Sequence, residues 1–244
     1  MNLHPETKLK DVVLEHPESA GVLERAGLDY CCGGNQTVGE ACAHAGVASE
    51  DILDQLKAAA QQASPEAHNW GAKPLSELTQ YIVKKHHQYV REALPQIQQH
   101  LAKVVEVHGK NHPEMGEVQE LFRQLGQEMI RHMQKEEQVL FPYIEQFEQA
   151  LARGREAEPP FFGTVRNPIT LMIREHDSAG DLVNTIRRLT HDYQSPEDGC
   201  TTFALTCKEL LEFDHDLRQH VHLENNVLFP RAVELETKHL TASA

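Results

Sequence analysis

The stretch HMQKEEQVLFP at residues 132–142 is repeated 88 positions later as HVHLENNVLFP at residues 220–230. Each copy has a histidine, a glutamate four residues later, and then the sequence Val-Leu-Phe-Pro. Residues four positions apart lie one turn apart on the same face of a helix. Each copy therefore offers an imidazole nitrogen and a carboxylate oxygen to one metal ion. Two copies predict two facing helices and, with them, up to two metal ions.

The composition is that of an acidic globular protein with many histidines. The chain has 244 residues, 16 histidines and a formal net charge of −14. A negative surface repels nucleic acid and anionic lipid, so we expect neither as a direct partner. No apolar run approaches the ~18 residues of a membrane span, and the N-terminus lacks the pattern of a signal peptide. Five cysteines, two of them adjacent, do not suit a disulfide framework and favour a reducing cytoplasm.

The helical patterns predict an all-α protein with two domains. Residues 1–62 have the short, capped helices of a small helical domain. Residues 63–74 have two prolines, a glycine and no periodicity, which is typical of a linker. In residues 75–244, four long segments have apolar residues at alternating spacings of three and four. Long helices joined by short breaks predict an up-down four-helix bundle.

Local signals predict several helix boundaries. Gly27 is expected to end a short helix, and a capping box is expected to begin at Thr37. The third long helix is expected to begin near Pro168 and the fourth near Pro196. Pro142 lies inside the second long helix and is expected to kink it.

Both halves of the predicted bundle have the same polar residues on their apolar faces. One helix has a single core-facing histidine and the next has the histidine–glutamate pair, at near-equal offsets, which indicates an internal duplication. Burying such groups costs several kcal/mol each unless they are paired or bound to metal. The predicted metal ligands are therefore His87, His132, Glu136, His176, His220 and Glu224.

The chemistry of these donors indicates which metal they bind. Four neutral nitrogens and two carboxylates, with no thiolate, exceed a tetrahedral zinc site and suit iron or manganese. We expect two non-haem iron ions bridged by Glu136 and Glu224 and by an oxo or hydroxo group. Each iron would then keep one coordination position for a small ligand.

His86 competes with His87 for the position on the first long helix. The apolar stripe runs through His87, so His87 is the predicted ligand. The weaker candidates are Glu137, His222 and His108, of which the first two lie off the ligand face of their helices.

The adjacent cysteines Cys31 and Cys32 precede Gly33 and Gly34 in a predicted loop. A disulfide between neighbours needs a strained ring, so we expect free thiols. The glycines would let the backbone turn sharply and expose the sulfur atoms. Free cysteines are equally common as small buried residues, so both roles stay open on the residues alone. The remaining cysteines, Cys42, Cys200 and Cys207, are expected in the core.

Residues 80–230 resemble a hemerythrin-like domain, and the stretch HPESAGVLERAGLDYCCGG at residues 16–34 resembles a ScdA-type leading domain. Nearly the whole chain resembles the di-iron iron–sulfur cluster repair (RIC) family, most specifically in MQKEEQVLFP and HLENNVLFP at residues 133–142 and 222–230. The family's four histidine and two glutamate ligands fall on the six predicted residues. Oxygen-carrying hemerythrins use a fifth histidine, for which this chain has no clear candidate. The resemblance therefore implies a reactive or iron-donating site.

The resemblance also implies a function and partners. It implies a cytoplasmic protein that repairs iron–sulfur clusters damaged by nitric oxide or oxidants, with damaged iron–sulfur proteins and small gas molecules (nitric oxide, dioxygen) as partners. Cys31 and Cys32 would then accept iron, undergo oxidation or dock against the bundle. Nitric oxide reduction to nitrous oxide is the enzymatic alternative, and oxygen or nitric oxide sensing or carriage is the binding alternative. Whether the chain is an enzyme, and whether it forms a homodimer, stays open at this point.

Overall fold

The computed structural model describes residues 3–61, 70–155 and 160–242, with side chains as far as residue 239. Within these residues the protein is all-α, as predicted, with one isolated β-bridge between Lys8 and Thr37. The chain divides into two compact units, one from residues 1–78 with 218–244 and one from residues 79–217. None of the described helices is both long and apolar enough to cross a membrane.

The first unit begins with short helices. They are α1 (Leu9–Glu15), a 3-10 turn (Pro17–Ser19), α2 (Ala20–Arg25), α3 (Val38–Ala45) and α4 (Ser49–Ala60). Two predicted boundaries are confirmed. Gly27 follows α2 with a φ of 69°, which is the left-handed conformation that favours glycine. Thr37 caps α3 through a reciprocal capping box with Glu40.

The predicted linker at residues 63–74 lies partly outside the described residues, which resume at Trp70. Trp70 is buried in the first unit. Arg231 donates hydrogen bonds to the backbone carbonyls of Trp70 (2.6 Å) and Lys73 (2.7 Å). The described end of this segment is therefore held by the C-terminal helix. The domain boundaries themselves stay a prediction.

The remaining helices have between 8 and 24 residues and follow the predicted apolar periodicity. They are α5 (Leu75–Ile82), α6 (Gln88–His108), α7 (Glu114–Lys135), α8 (Phe141–Ala152), α9 (Arg166–Leu189), α10 (Thr201–Leu223) and α11 (Phe229–Ala242). In the second unit, α7 packs against both α6 and α9. The stripe of α6 is buried, as predicted, at Val90, Leu94, Ile97, Leu101 and Val104.

The start of the fourth long helix differs from the prediction. It begins at Thr201, not near Pro196. Residues 196–199 form a turn instead, in which the Gly199 N–H donates to the Pro196 carbonyl at 2.9 Å. The first bond into the helix then comes from the Ala204 N–H to the Cys200 carbonyl at 3.0 Å, which makes Cys200 the residue that precedes the helix.

In the part of the chain that the structure describes, three π-helical turns interrupt the long helices, at Val83–His87, Glu136–Leu140 and Glu224–Leu228. The second and third directly precede a Phe-Pro pair, where a kink was predicted at Pro142. Proline lacks the N–H for an α-helical bond and crowds the carbonyl four residues earlier, so the helix widens rather than breaks. Each π turn contains one predicted ligand, at His87, Glu136 or Glu224. Such turns insert one extra residue and change which side chains face inward.

Candidate metal centre

Four of the six predicted ligands lie in the second unit, on three different long-helix segments. His87 ends the first π turn, His132 lies in the last turn of α7, Glu136 opens the second π turn, and His176 lies within α9. All four residues are at most 1% exposed. Imidazoles and a carboxylate buried to this degree need close partners, because water cannot solvate them.

Glu136 lies between two imidazoles from different helices. Its Oε1 is 3.3 Å from His132 Nε2, and its Oε2 is 3.4 Å from His87 Nε2. Each carboxylate oxygen thus faces its own histidine. Each oxygen and the imidazole nitrogen that it faces are close enough to be ligands of the same metal ion.

A third imidazole, that of His176, lies close to His132 and Glu136. His132 Nε2 and His176 Nε2 are 3.0 Å apart. The ligand atoms of His132, Glu136 and His176 all lie within 4.8 Å of one another. Two neutral imidazoles whose nitrogens converge in this way can share only one N–H···N hydrogen bond. A metal cation between them can instead accept a lone pair from both nitrogens and from the carboxylate.

The other two predicted ligands, His220 and Glu224, lie in the first unit, at the end of α10 and the start of the third π turn. Both side chains are fully buried. His220 Nε2 is 3.0 Å from Glu224 Oε1, which confirms that the four-residue spacing places the two donors side by side. Buried histidine and glutamate side chains of this protein therefore form groups that could hold metal ions.

Two carboxylates lie behind the imidazoles of the second unit. Glu137 Oε1 is 2.6 Å from His87 Nδ1, and Glu175 Oε2 is 3.0 Å from His132 Nδ1. Burial raises the pKa of Glu137, but hydrogen bonds from Arg91 and His87 outweigh this effect and leave its pKa below the usual value. An ionised carboxylate can only accept a hydrogen bond, so each imidazole carries its proton on Nδ1.

Glu175 has the same role beside His132, and its pKa is strongly lowered. The hydrogen bond from His132 is the largest effect on it, and with that of Lys135 it holds the pKa of Glu175 at about 2. The Nε2 lone pairs of His87 and His132 then face Glu136 and are available to a metal. Glu175 was not among the predicted site residues, because only the packing of α7 against α9 brings it next to His132. Its one sequence signal is its position directly before His176.

His86 is fully buried beside His87, although it lies off the apolar stripe. Its Nδ1 is 2.9 Å from Asp216 Oδ1. The π turn explains this, because its extra residue turns two successive side chains inward. Among the described residues, His87 belongs to a possible metal-binding group and His86 belongs to none.

The two other weak histidine candidates also lie outside these groups within the described residues. His222 is buried in the first unit with Nδ1 3.4 Å from the Tyr30 carbonyl, and burial lowers its pKa to about 4. His108 packs against Phe203 with ring centroids 5.5 Å apart. His222 is therefore neutral at physiological pH.

The predicted cysteine loop is folded around Asp29, and all five cysteines are free. Cys31 is 6% exposed, whereas Cys32 is partly exposed. The hydrogen bond with Cys32, burial and the nearby Asp29 together raise the pKa of Cys31 well above that of an ordinary thiol. Cys31 therefore stays protonated at rest.

The expectation that all three other cysteines lie in the core is wrong for Cys200. Cys42 and Cys207 are buried, but Cys200 is exposed because it precedes the first residue of α10. The backbone N–H of Phe203 and the side chain of His108 stabilise its thiolate and lower its pKa to about 7. A helix N-terminus commonly has this effect on a thiol.

Comparisons with known proteins cover almost the whole chain. Residues 78–232 match the family model of the hemerythrin HHE cation-binding domain, and residues 5–60 match that of ScdA_N, a domain of unknown function. The chain is similar to proteins named iron–sulfur cluster repair protein YtfE from Salmonella paratyphi B, Salmonella newport and Salmonella heidelberg. Each is 36% identical over 225 residues, which cover 92% of this chain and 96% of the relative.

Proposed function

This chain belongs to the family of hemerythrin-like iron–sulfur cluster repair proteins. From that membership we propose that it is a di-iron protein that repairs iron–sulfur clusters damaged by nitrosative or oxidative stress, by donating iron. The observation that carries the proposal is the position of Glu136, with one carboxylate oxygen toward His87 and the other toward His132.

Six side chains are the proposed iron ligands: His87, His132, Glu136, His176, His220 and Glu224. Glu136 and Glu224 are the proposed bridges. A donor set of imidazoles and carboxylates without thiolate suits iron. Two ions held there would supply exchangeable iron and coordination positions for small gas molecules such as nitric oxide or dioxygen.

The chain's own residues hold and orient these donors. Glu137 and Glu175 accept the Nδ1 protons of His87 and His132, so the Nε2 atoms point toward Glu136. Such partners of metal-bound histidines typically contribute a 10–100-fold factor in metal affinity. The complete burial of the six side chains excludes bulk water from them. The five free cysteines support a reducing compartment, and we propose the cytoplasm.

A repair assay tests the proposal. The iron-loaded chain is mixed, without oxygen, with an iron–sulfur dehydratase that nitric oxide has inactivated, and recovery of dehydratase activity is measured. Glu136→Gln should abolish recovery. His100→Gln is the matched control, because His100 also pairs with a carboxylate (Glu209, 2.7 Å) but is not a proposed ligand.

The cysteine pair gives a second comparison. A double variant, Cys31→Ser with Cys32→Ser, should keep two irons per chain but fail to restore the dehydratase. If the parent protein restores no activity and instead converts nitric oxide to nitrous oxide in a single turnover, the repair proposal is wrong and nitric oxide reduction takes its place.

A further inference from the structure

A second group of metal-ligand side chains lies in the first unit, apart from the histidines and glutamates. The ligand atoms of Asp29, Cys31 and Cys32 all lie within 4.8 Å of one another. We infer that these three residues form a thiolate metal site that takes one divalent transition-metal ion. The identity of the ion as Fe²⁺ rests on the proposed function, whereas the existence of the site does not.

Asp29 organises the loop in which the thiols lie. Its Oδ1 accepts hydrogen bonds from the backbone N–H of Cys31 (2.9 Å) and of Cys32 (3.0 Å), and lies 3.0 Å from the Cys31 sulfur. A carboxylate that caps two successive N–H groups forms a tight local turn. The turn brings both thiols close to the carboxylate that would share a cation with them.

Two glycines allow the chain to close tightly after the thiols. A Cβ at Gly33 would lie 2.7 Å from the Asp29 carbonyl oxygen, and one at Gly34 would lie 2.5 Å from the Tyr30 carbonyl oxygen. Both distances are too short for any side chain. The loop geometry therefore depends on glycine at both positions.

The C-terminal part of the same unit holds the loop from the other side. Asn226 Nδ2 donates to the Cys31 carbonyl at 3.0 Å and lies 3.3 Å from that of Tyr30. Asn225 Nδ2 lies 3.5 Å from the Cys31 carbonyl and 4.0 Å from the Cys32 sulfur. Both asparagines directly follow Glu224, a proposed iron ligand. The thiols are thus fixed beside the segment that carries a bridging carboxylate, in an arrangement prepared before a cation binds.

The donors fit a cation of intermediate softness. Two thiolates and a carboxylate suit Fe²⁺, Co²⁺ or Zn²⁺ far better than Mg²⁺ or Ca²⁺. At a metal–sulfur distance of about 2.3 Å, tetrahedral geometry separates two sulfurs by about 3.8 Å, so ligand atoms within 4.8 Å need only a small contraction. Binding would displace the two thiol protons and cause no change in oxidation state.

Three protein ligands leave a fourth position open. Structural sites normally close all four positions, whereas sites that exchange a ligand keep one open. Asp29 is exposed and Cys32 is partly exposed, so one side of the group faces solvent. An open, solvent-facing site suits an ion in transit more than a permanent one, and this deepens the proposed donation of iron.

Cobalt titration of the full chain tests the site. The iron-loaded protein is titrated anaerobically with Co²⁺, and sulfur-to-cobalt charge-transfer absorption is recorded in the near ultraviolet. The parent should bind one Co²⁺ with this absorption. Cys32→Ser should lose the absorption, and Asp29→Asn, which keeps the acceptor for both backbone N–H groups, should keep it with affinity weakened about tenfold or more. Cys200→Ser is the matched control and should behave as the parent.

Alkylation of the unmutated chain gives a second readout that does not depend on the folding of a variant. Bound Co²⁺ should slow the reaction of Cys31 and Cys32 with N-ethylmaleimide at least tenfold and leave Cys200 unaffected. Absence of the sulfur absorption from the parent, its persistence in Cys32→Ser, or unprotected Cys31 and Cys32 would each overturn the inference.

Iron content, measured in the same samples, separates the two proposals. Two irons per chain without a sulfur–cobalt absorption would refute the thiolate site alone. A sulfur–cobalt absorption on a chain that binds no iron at its histidines and glutamates would support the thiolate site and refute the di-iron proposal alone.

Discussion

Replacing Glu136 with glutamine should weaken two metal ions at once. The side chain is fully buried, with Oε1 3.3 Å from His132 Nε2 and Oε2 3.4 Å from His87 Nε2. Glutamine keeps the size of the side chain but removes the charge and replaces one acceptor oxygen with an amide donor. Because Glu136 is a proposed bridge with one oxygen toward His87 and the other toward His132, the loss falls on both ions. His176 lies beside His132 alone of these two, so His176→Gln is the matched single-site variant.

The expected sizes follow from binding linkage. At free iron 100 times above Kd, each bound ion stabilises the folded chain by about 2.7 kcal/mol. A 100-fold loss of affinity leaves about 0.4 kcal/mol, so each weakened ion costs about 2.3 kcal/mol. Glu136→Gln should therefore lose about 4.6 kcal/mol and His176→Gln about half as much. For a chain of this length, iron should raise the Tm of Glu136→Gln by ~9–18 °C less than it raises that of the parent. For His176→Gln the difference should be ~5–9 °C.

Calorimetry with and without iron measures the iron-dependent change in unfolding free energy and in Tm. The iron-free proteins provide the reference, because they remove any direct effect of the substitutions on folding. At that free iron concentration each weakened site is about half occupied, so iron content should fall from two per chain to about one in Glu136→Gln and to about 1.5 in His176→Gln. Equal losses of iron and of Tm in the two variants would refute the shared-bridge reasoning, since Glu136 would then serve only one ion.

Three other measurements check the site and its surroundings. His87→Ala should lose iron, whereas His86→Ala should keep it. His86→Ala should also unfold about 1–3 kcal/mol more easily, because it leaves the partly buried carboxylate of Asp216 without its imidazole. The reverse iron contents would show that the π turn presents His86 to the metal. Glu175, whose pKa is lowered from 4.5 to about 2 chiefly by His132, should contribute stability that is present above pH 4.5 and lost as the pH falls toward 2. Between pH 4.5 and 2, the free energy of unfolding in urea should fall less for the iron-free Glu175→Gln variant than for the iron-free parent. An equal fall in both proteins would contradict the pairing of Glu175 with His132. Alkylation of Cys200 should accelerate with pH around a midpoint near 7, in line with its pKa, and a midpoint near 9 would show that the N-terminus of α10 does not stabilise the thiolate.

Spacing along the chain was sufficient to predict the helices and the chemistry of the candidate ligands. Helical geometry relates residues three and four apart without reference to any other element, so the apolar stripe of α6 and the pairing of His220 with Glu224 follow from local sequence. The capping box at Thr37 is equally local. The assignment of the six ligands to iron stays a prediction, because spacing identifies donors and not the ion they bind.

The tertiary structure decided the contacts between residues that are distant along the chain. Glu175 supports His132 only because α9 packs on α7, and Asn226 reaches the carbonyl of Cys31 although the two are 195 residues apart. The π turn that buries His86 beside His87, and the turn that leaves Cys200 exposed before α10, depend on backbone hydrogen bonding that periodicity does not encode. Side-chain periodicity specifies which face of a helix is apolar, but the partner that covers this face, and the register in which it packs, are determined by packing of the whole chain.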